Sequence, residues 1–295
     1  MVLQKSWRPR RQTESPVSKT IKGAVVNMIS RKGRFLNESE LSERIDPHFI
    51  IPGLEAGQVG ILSAPGATGK TIFSLELAFS LASGRELFDQ IPVKSACRVL
   101  FIELEETLTG IVNNFCIARS CFSDVPFPAE NLYIWHDEEG ILTLVDSNNK
   151  VVSDNVEWLK EMSRDMSLVI VDHLSRCHMS DENSSVPMTV LMNVFRQVGR
   201  ETDTGFLLLH HTRKGSILNG EGNTAESARG SSAIVNCARL VMTLSKNCDD
   251  DDSLKLTWAK INGHRPIKPM LLRRFLDGRI LPDYTAEDEV KVTIA

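Results

Sequence analysis

Residues 64–71, with the sequence APGATGKT, constrain the fold of this chain more than any other segment. The apolar run at 57–63 predicts a short strand before them, and apolar residues all round residues 72–82 predict a buried helix after them. A glycine-rich turn between a strand and a helix lets backbone N–H groups and the positive end of the helix surround a polyphosphate. The segment therefore predicts a phosphate-binding loop in an α/β domain.

Each position of this loop has an expected role. Lys70 is expected to reach the β- and γ-phosphates, and Thr71 to place its hydroxyl on Mg²⁺. Ala64 stands where the motif usually has glycine, and it is tolerable if that residue takes an ordinary backbone angle. The residues expected to bind the phosphates are Pro65, Gly66, Ala67, Thr68, Gly69, Lys70 and Thr71.

The rest of the chain alternates between strand-like and helix-like segments. Apolar strands are predicted at 98–103, 168–171 and 205–209, with helices between them, which indicates a parallel sheet with helices on both faces. Beyond residue 239, strand-like runs at 240–244 and 254–258 flank an acidic stretch at 249–252, and a tight turn is predicted at 277–278. These runs predict antiparallel strands added to the C-terminal edge of the same α/β sheet.

Acidic residues follow two of the predicted strands. Asp172 comes directly after the buried strand at 168–171, the place from which an acid usually holds Mg²⁺. Residues 103–106 offer three carboxylates, of which we expect Glu105 to orient the water that attacks the γ-phosphate. Glu106 is its rival, and all three acids could instead be solvated groups at the start of a helix.

Two adjacent histidines end the predicted strand at 205–209. Because neighbouring strand residues point in opposite directions, His210 and His211 are not expected to chelate one metal ion together. One of them, which we assign as His211, is expected to face the nucleotide and sense its γ-phosphate. The alternative is an ordinary core histidine.

Two long polar segments leave the same predicted edge of the sheet. Residues 173–186 carry Arg176, and residues 212–228 carry Arg213 and Lys214. Polar loops of this length between buried strands are often functional, so these three side chains are candidates for contacting a polymer. An ordinary surface loop is the alternative.

Charge and composition divide the chain. The first 34 residues carry nine Lys and Arg against Glu14 alone, so this end holds +8 although the whole chain holds −4. We expect a basic, partly disordered arm at 1–45, which could contact nucleic acid, and one core at 46–295. No apolar run reaches the roughly 18 residues of a spanning helix. The six cysteines form no CxxC pair, which predicts free thiols and a cytoplasmic protein without a membrane partner.

The motifs together resemble a known family. The succession APGATGKT, VLFIELEE, LVIVDHLSRCH, FLLLHHTRKG, SARGSS and WAKINGHRP, over roughly residues 51–281, is similar to RecA-like ATPases of the plasmid RepA type. Those proteins are hexameric replicative DNA helicases, related to DnaB-like helicases and to RecA. The resemblance implies ATP and Mg²⁺ as cofactors, single-stranded DNA as a partner and a homohexamer.

The resemblance also carries roles onto single residues. It implies that Lys70 binds phosphate, Glu105 is catalytic and Asp172 is associated with Mg²⁺. It matches His210 and His211 to paired histidines of the family, Arg229 to an arginine finger donated to a neighbour's nucleotide, and Lys260 to a lysine at the subunit boundary.

Two other classes of function stay open on the sequence. One is a RecA-like filament or recombination-mediator ATPase, which would remodel DNA complexes without unwinding. The other is a nucleotide-switched regulator that binds a protein. The acidic body favours the regulator, because proteins that track along DNA usually display positive charge.

Overall fold

The computed structural model describes residues 46–211, 232–247 and 250–284. Eleven strands lie in these ranges: β1 (Phe49–Ile51), β2 (Leu54–Glu55), β3 (Val59–Ala64), β4 (Val99–Glu103), β5 (Leu132–His136), β6 (Leu168–Asp172), β7 (Gly205–His211), β8 (Leu240–Asn247), β9 (Asp250–Ile261), β10 (Met270–Arg274) and β11 (Ile280–Pro282). Five α-helices accompany them: α1 (Lys70–Ser83), α2 (Leu108–Ser120), α3 (Ser153–Ser163), α4 (Ser185–Thr202) and α5 (Ser232–Cys237).

One nine-stranded sheet organises the molecule, in the order β11-β10-β9-β8-β3-β7-β6-β4-β5. The six strands from β8 to β5 in this order are parallel, whereas β8, β9, β10 and β11 pair antiparallel. The predicted fold class, a mostly parallel RecA-like sheet with antiparallel strands at the C-terminal edge, is confirmed. The edge strand β5 and the small β1–β2 hairpin were not predicted.

Helices cover both faces of the sheet and bury two apolar layers. Helices α1 and α2 pack on one face, and α3, α4 and α5 pack on the other. Strand β6 shows why its sequence has no polar alternation: Leu168 and Ile170 join one layer, and Val169 and Val171 join the other. A strand that is buried on both faces needs an apolar side chain at every position.

The antiparallel edge differs from the prediction in one place. Strand β9 begins at Asp250, before the predicted run at 254–258, so the described acidic residues at 250–252 belong to this strand rather than flanking it. Their side chains are exposed, and cations of neighbouring strands face them: Lys246 pairs with Asp251, and Arg273 pairs with Asp250. Strand geometry is therefore compatible with this acidic run because opposite charges lie across it.

The strand register places the candidate functional residues at one edge of the sheet. Glu103 at the end of β4 lies opposite Asp172 at the end of β6, and Ala64 at the end of β3 lies opposite His211 at the end of β7. Parallel strands bring their carboxyl ends together, which is where open α/β sheets bind ligands.

No helix of the described ranges is long and apolar enough to cross a bilayer.

Candidate active site

Within the segment 64–71, residues 65–69 form the turn that joins β3 to α1. Gly69 has a φ of 95°, in the left-handed region that favours glycine, and Ala67 has a φ of 61°. Gly66 has no atom within 4 Å of an added Cβ. Ala64 is the last residue of β3 and takes a strand conformation, which explains why alanine is tolerated where the motif usually has glycine.

This turn forms one side of a cavity of about 400 Å³. Every residue of the predicted phosphate-binding set lines it, and so do the two rival acids and one of the two histidines. The lining consists of Pro65, Gly66, Ala67, Thr68, Gly69, Lys70, Thr71, Ile72, Glu105, Glu106, Asn114, Ile117, His211, Arg274 and Gly278.

Lys70 is a buried cation at the start of α1. Burial lowers the pKa of its ammonium group, and the carboxylates of Asp172, Glu105 and Glu103 oppose that shift. The ammonium thus lies in a buried setting among acidic groups and beside the phosphate loop. An ammonium there can attract a polyphosphate strongly, because charges interact more strongly where little water screens them.

Thr71 and Asp172 form the pair that could hold a metal ion. The Thr71 hydroxyl donates a hydrogen bond of 2.6 Å to Asp172 Oδ2. The other carboxylate oxygen, Oδ1, is buried and has no hydrogen-bond partner among the described residues. Burial raises the pKa of Asp172, so a cation would stabilise its ionised form. The Thr71 hydroxyl and the Asp172 carboxylate, one of whose oxygens is unsatisfied, offer the oxygen ligands that Mg²⁺ prefers, and the pair fits that ion.

The three acids at 103–106 have separate environments. Glu103 is fully buried, and its Oε1 accepts hydrogen bonds from the backbone N–H groups of Glu105 at 2.7 Å and Glu106 at 2.9 Å. Burial raises its pKa to about 7, and the Asp172 carboxylate adds to the shift. The reading of all three acids as solvated groups is therefore wrong for Glu103, which holds the turn after β4 in place.

Glu105 points toward two histidines, of which His211 lines the cavity. Its Oε2 lies 3.2 Å from His173 Nε2 and 3.9 Å from His211 Nε2. The hydrogen bond with His173 is the largest cause that lowers the pKa of Glu105 to about 2. Glu106, by contrast, places its Oε2 close to Gly110 in the first turn of α2. An ionised carboxylate directed at the cavity is the geometry that the orientation of a water molecule requires.

The two adjacent histidines do point in opposite directions. His210 is buried, with its Nδ1 3.4 Å from Glu182 Oε1, whereas His211 lines the cavity. His211 meets a histidine that the sequence analysis did not assign: the rings of His173 and His211 lie edge to face, 4.9 Å apart. The signal for His173 was its place immediately after Asp172, at the same strand end.

Several predicted residues lie elsewhere or outside the described ranges. Arg176 lies in the short 3₁₀ helix Leu174–Cys177 and lines a neighbouring cavity of about 330 Å³, which Glu105 and Glu106 share. Lys260 donates hydrogen bonds to the carbonyl oxygens of Val235 at 2.9 Å and Asn236 at 3.2 Å, at the end of α5. Arg213, Lys214, Arg229 and the basic arm lie outside the described residues.

Arg274 is a cavity residue that the sequence analysis missed. Its Nη2 donates a hydrogen bond of 3.1 Å to the carbonyl oxygen of Ala67, inside the phosphate loop. Strand β10 brings this side chain from 207 residues further along the chain. No local pattern marks such a contact, because it depends on how the antiparallel edge folds back over the loop.

Comparisons with known proteins agree with this fold and site. A family model described as an AAA domain (AAA_25) matches residues 35–216. Among solved structures, an ATPase domain matches with a TM-score of 0.55 and 13% identity, over 78% of this chain and 86% of that one.

Two further solved structures share the fold. A DnaB-like replicative helicase, described with its interactions with primase, has a TM-score of 0.55 and 12% identity over 77% of this chain. This chain covers only 57% of that helicase. The RadB recombinase has a TM-score of 0.51 and 12% identity, over 77% of this chain and 91% of that one.

Proposed function

The chain belongs to the AAA domain family and is a RecA-like P-loop ATPase, and from this premise we propose that it is a ring-forming motor that hydrolyses ATP on single-stranded DNA. More specifically, we propose a replicative DNA helicase of the RepA type that acts as a homohexamer. One observation carries the proposal: the phosphate loop, the Thr71–Asp172 pair and the ionised Glu105 converge on one cavity.

ATP is bound through its phosphates in this proposal. The backbone N–H groups of residues 65–69 and the start of α1 surround them, and the Lys70 ammonium neutralises charge at the β- and γ-phosphates. Thr71 and Asp172 would hold Mg²⁺, which supplies further neutralisation of the phosphate oxygens when bound. The orphaned Oδ1 of Asp172 supports this assignment.

Glu105 orients the attacking water and accepts its proton. Its low pKa keeps it ionised at neutral pH. His211 lines the same cavity, and in this proposal it senses the γ-phosphate. Arg229 of a neighbouring subunit completes the charge around the γ-phosphate, a contribution worth roughly 10³–10⁵ in rate in related NTPases. Lys260 lies at the boundary between subunits in this assembly.

DNA contact is proposed for the two segments that begin at the same sheet edge. Residues 173–186 follow β6 and residues 212–228 follow β7, so a change at the γ-phosphate can reach both segments directly. Arg176, Arg213 and Lys214 are the proposed cations for the DNA backbone. The likeness to the DnaB-like helicase supports this choice of polymer at the level of the fold.

Hydrolysis with and without single-stranded DNA, together with the mass in solution, tests the proposal. We expect a six-subunit particle whose ATP turnover rises with DNA, and a Lys70→Ala variant without turnover in either condition. Turnover that ignores DNA would favour a nucleotide-switched regulator and contradict the motor.

A filament or recombination ATPase is the second candidate, which the RadB likeness favours. Strand separation on a forked DNA substrate distinguishes the two. The helicase displaces a strand with ATP, whereas a filament or mediator ATPase hydrolyses ATP on DNA and leaves the fork paired.

A further inference from the structure

Three potential ligand atoms meet beside the phosphate loop. The carboxylate of Glu105 and one ring nitrogen each of His173 and His211 all lie within 4.8 Å of one another. Within this triad, Glu105 Oε2 is 3.2 Å from His173 Nε2 and 3.9 Å from His211 Nε2. In a tetrahedral zinc site with bonds of about 2.0–2.1 Å, neighbouring ligand atoms lie about 3.3 Å apart. The triad therefore already approaches the spacing of a metal site.

The backbone of each ligand is held by a different strand end. Glu105 follows β4 and its N–H is bound by Glu103, His173 follows β6, and His211 is the last residue of β7 opposite Ala64. Groups on adjacent strand ends of one sheet keep their relative positions, so little ordering is needed to bring the ligands together.

The second ring nitrogen of His173 also has a partner. Ser175 Oγ lies 2.9 Å from His173 Nδ1, which orients the ring so that Nε2 faces Glu105. Histidines that bind metals almost always hydrogen-bond through their other nitrogen in this way. Ser175 thus gives the triad the outer support that a metal ligand requires.

The ligand types separate this triad from the Mg²⁺ pair. Thr71 and Asp172 offer only oxygen, whereas the triad offers two imidazoles and one carboxylate. Imidazole suits zinc and its neighbours among the transition metals, whereas Mg²⁺ prefers oxygen. Glu105 and His211 line the open cavity, so an ion can reach the triad and keep water in its remaining position.

We infer that Glu105, His173 and His211 form a binding site for Zn²⁺, and that an ion bound there stops ATP hydrolysis by removing Glu105 from the attacking water. The first part stands on the geometry alone. The second part rests on the proposed role of Glu105. Zinc would therefore inhibit hydrolysis without itself occupying the phosphate loop or the Thr71–Asp172 pair.

Titration of the nucleotide-free, full-length protein with Zn²⁺ against a chromophoric chelator tests the site. We expect one zinc ion per chain from the triad, and at least about a tenfold loss of affinity in His173→Ala and in His211→Ala. His136→Ala is the matched control, because His136 lies at the same sheet edge with its Nε2 3.0 Å from the Glu106 carbonyl oxygen, outside the triad. Its affinity should equal that of the wild type.

Co²⁺ substitution reports the ligand type directly. Nitrogen and oxygen ligands give visible ligand-field bands without the near-ultraviolet thiolate band that cysteine ligands add. His211→Ala keeps the test decisive if His173→Ala fails to fold, because His173 is buried and His211 is partly exposed. Wild-type affinity in His211→Ala, or a thiolate spectrum that neither variant changes, overturns the site.

Inhibition is measured separately. Hydrolysis of MgATP is first recorded in metal-chelated buffer, and its absence there would count against the proposed function and leave the zinc titration interpretable. Where hydrolysis is present, we expect buffered free Zn²⁺ to suppress it and a chelator to restore it. Zinc binding that leaves the rate unchanged overturns the second part of the inference.

Discussion

Burial and hydrogen bonding give different properties to Glu103 and Glu105, two acids that lie two positions apart in the chain. Glu103 is fully buried, and its pKa rises to about 7. Glu105 faces the cavity, and its hydrogen bond with His173 lowers its pKa to about 2. Identical side-chain chemistry therefore provides one structural acid and one ionised group, because the local environment determines which protonation state is favoured.

At the residue scale, we predict that Glu105→Gln retains nucleotide binding and loses hydrolysis by about 10²–10⁴-fold, the usual contribution of a positioned acid or base. The amide keeps the size of the carboxylate but cannot accept the proton of water. Glu106→Gln, whose side chain turns toward α2, is the matched control and should stay within a few-fold of the wild type. Single-turnover hydrolysis and fluorescent-nucleotide binding measure both, and a larger loss in Glu106→Gln would reverse the assignment.

The β10–β11 hairpin is the element that covers the phosphate loop. Arg274 reaches the Ala67 carbonyl oxygen, and an added Cβ on Gly69 would meet Ile280 Cδ1 at 2.5 Å. The backbone N–H of Ile280 donates a 2.8 Å hydrogen bond to Glu76 on α1. The antiparallel edge of the sheet therefore supports the loop and the helix that follows it.

We predict that Arg274→Ala weakens nucleotide binding by about 3- to 10-fold, the loss expected for one hydrogen bond that holds the loop. Arg273→Ala is the control, because Arg273 is adjacent in the chain but pairs with Asp283 and Asp250 instead of contacting the phosphate loop. Equilibrium titration with a fluorescent ATP analogue measures both variants. Equal affinities in the two variants would show that the hairpin does not support the loop through Arg274.

Glu76 on α1, which accepts a hydrogen bond from this hairpin, makes the stability of the fold depend on pH. Burial raises its pKa to about 8, above its ordinary value of 4.5. The folded protein therefore holds a proton that the unfolded chain releases between these values, so this residue stabilises the fold at low pH and loses that contribution as pH rises toward 8. A shift of this size corresponds to roughly 5 kcal/mol as an upper limit.

Glu76→Gln should remove this dependence, because an amide keeps the acceptor for Ile280 and never ionises. We predict a smaller loss of unfolding free energy between pH 5 and pH 9 in the variant than in the wild type. Urea unfolding at several pH values measures it. Parallel curves for the two proteins would contradict the prediction.

At the scale of the whole molecule, the parallel sheet gathers the site from distant parts of the chain. The ends of β3, β4, β6 and β7 bring together residues that the sequence separates by up to about 150 positions. The proposed Arg229 finger would add a residue from a second chain to this site, so that only an assembled oligomer has a complete cavity.

Mixing two inactive variants tests that arrangement. Lys70→Ala has no working phosphate loop but carries Arg229, and Arg229→Ala has a working loop but lacks the finger. After dissociation and random reassembly, roughly a quarter of the sites would combine an intact loop with a neighbour's arginine. We predict that hydrolysis returns to about that level in the mixture. Normal turnover by Arg229→Ala alone, or no recovery on mixing, would exclude a finger supplied in trans.

The local pattern was sufficient for much of the fold and of the candidate site. Apolar runs with glycine and proline between them indicated the parallel strands, because a strand buried on both faces must be apolar throughout. Lys70 was found from the glycine-rich loop between a strand and a helix. Asp172, Glu105 and His211 were found because each lies at or near a strand end, and strand ends of a parallel sheet meet at one edge. Both signals, the apolar runs and the residues that follow them, involve residues that are close together in the sequence.

Contacts between distant residues could be decided only by the tertiary structure. The hydrogen bond of Arg274 with the phosphate loop depends on how β10 folds back, and the structural role of Glu103 depends on complete burial. His173 becomes a partner of Glu105 and His211 only through the register of three strands. The sequence determined which groups stand at the edge of the sheet, but side-chain packing determined which of them touch, because that depends on residues far apart in the chain.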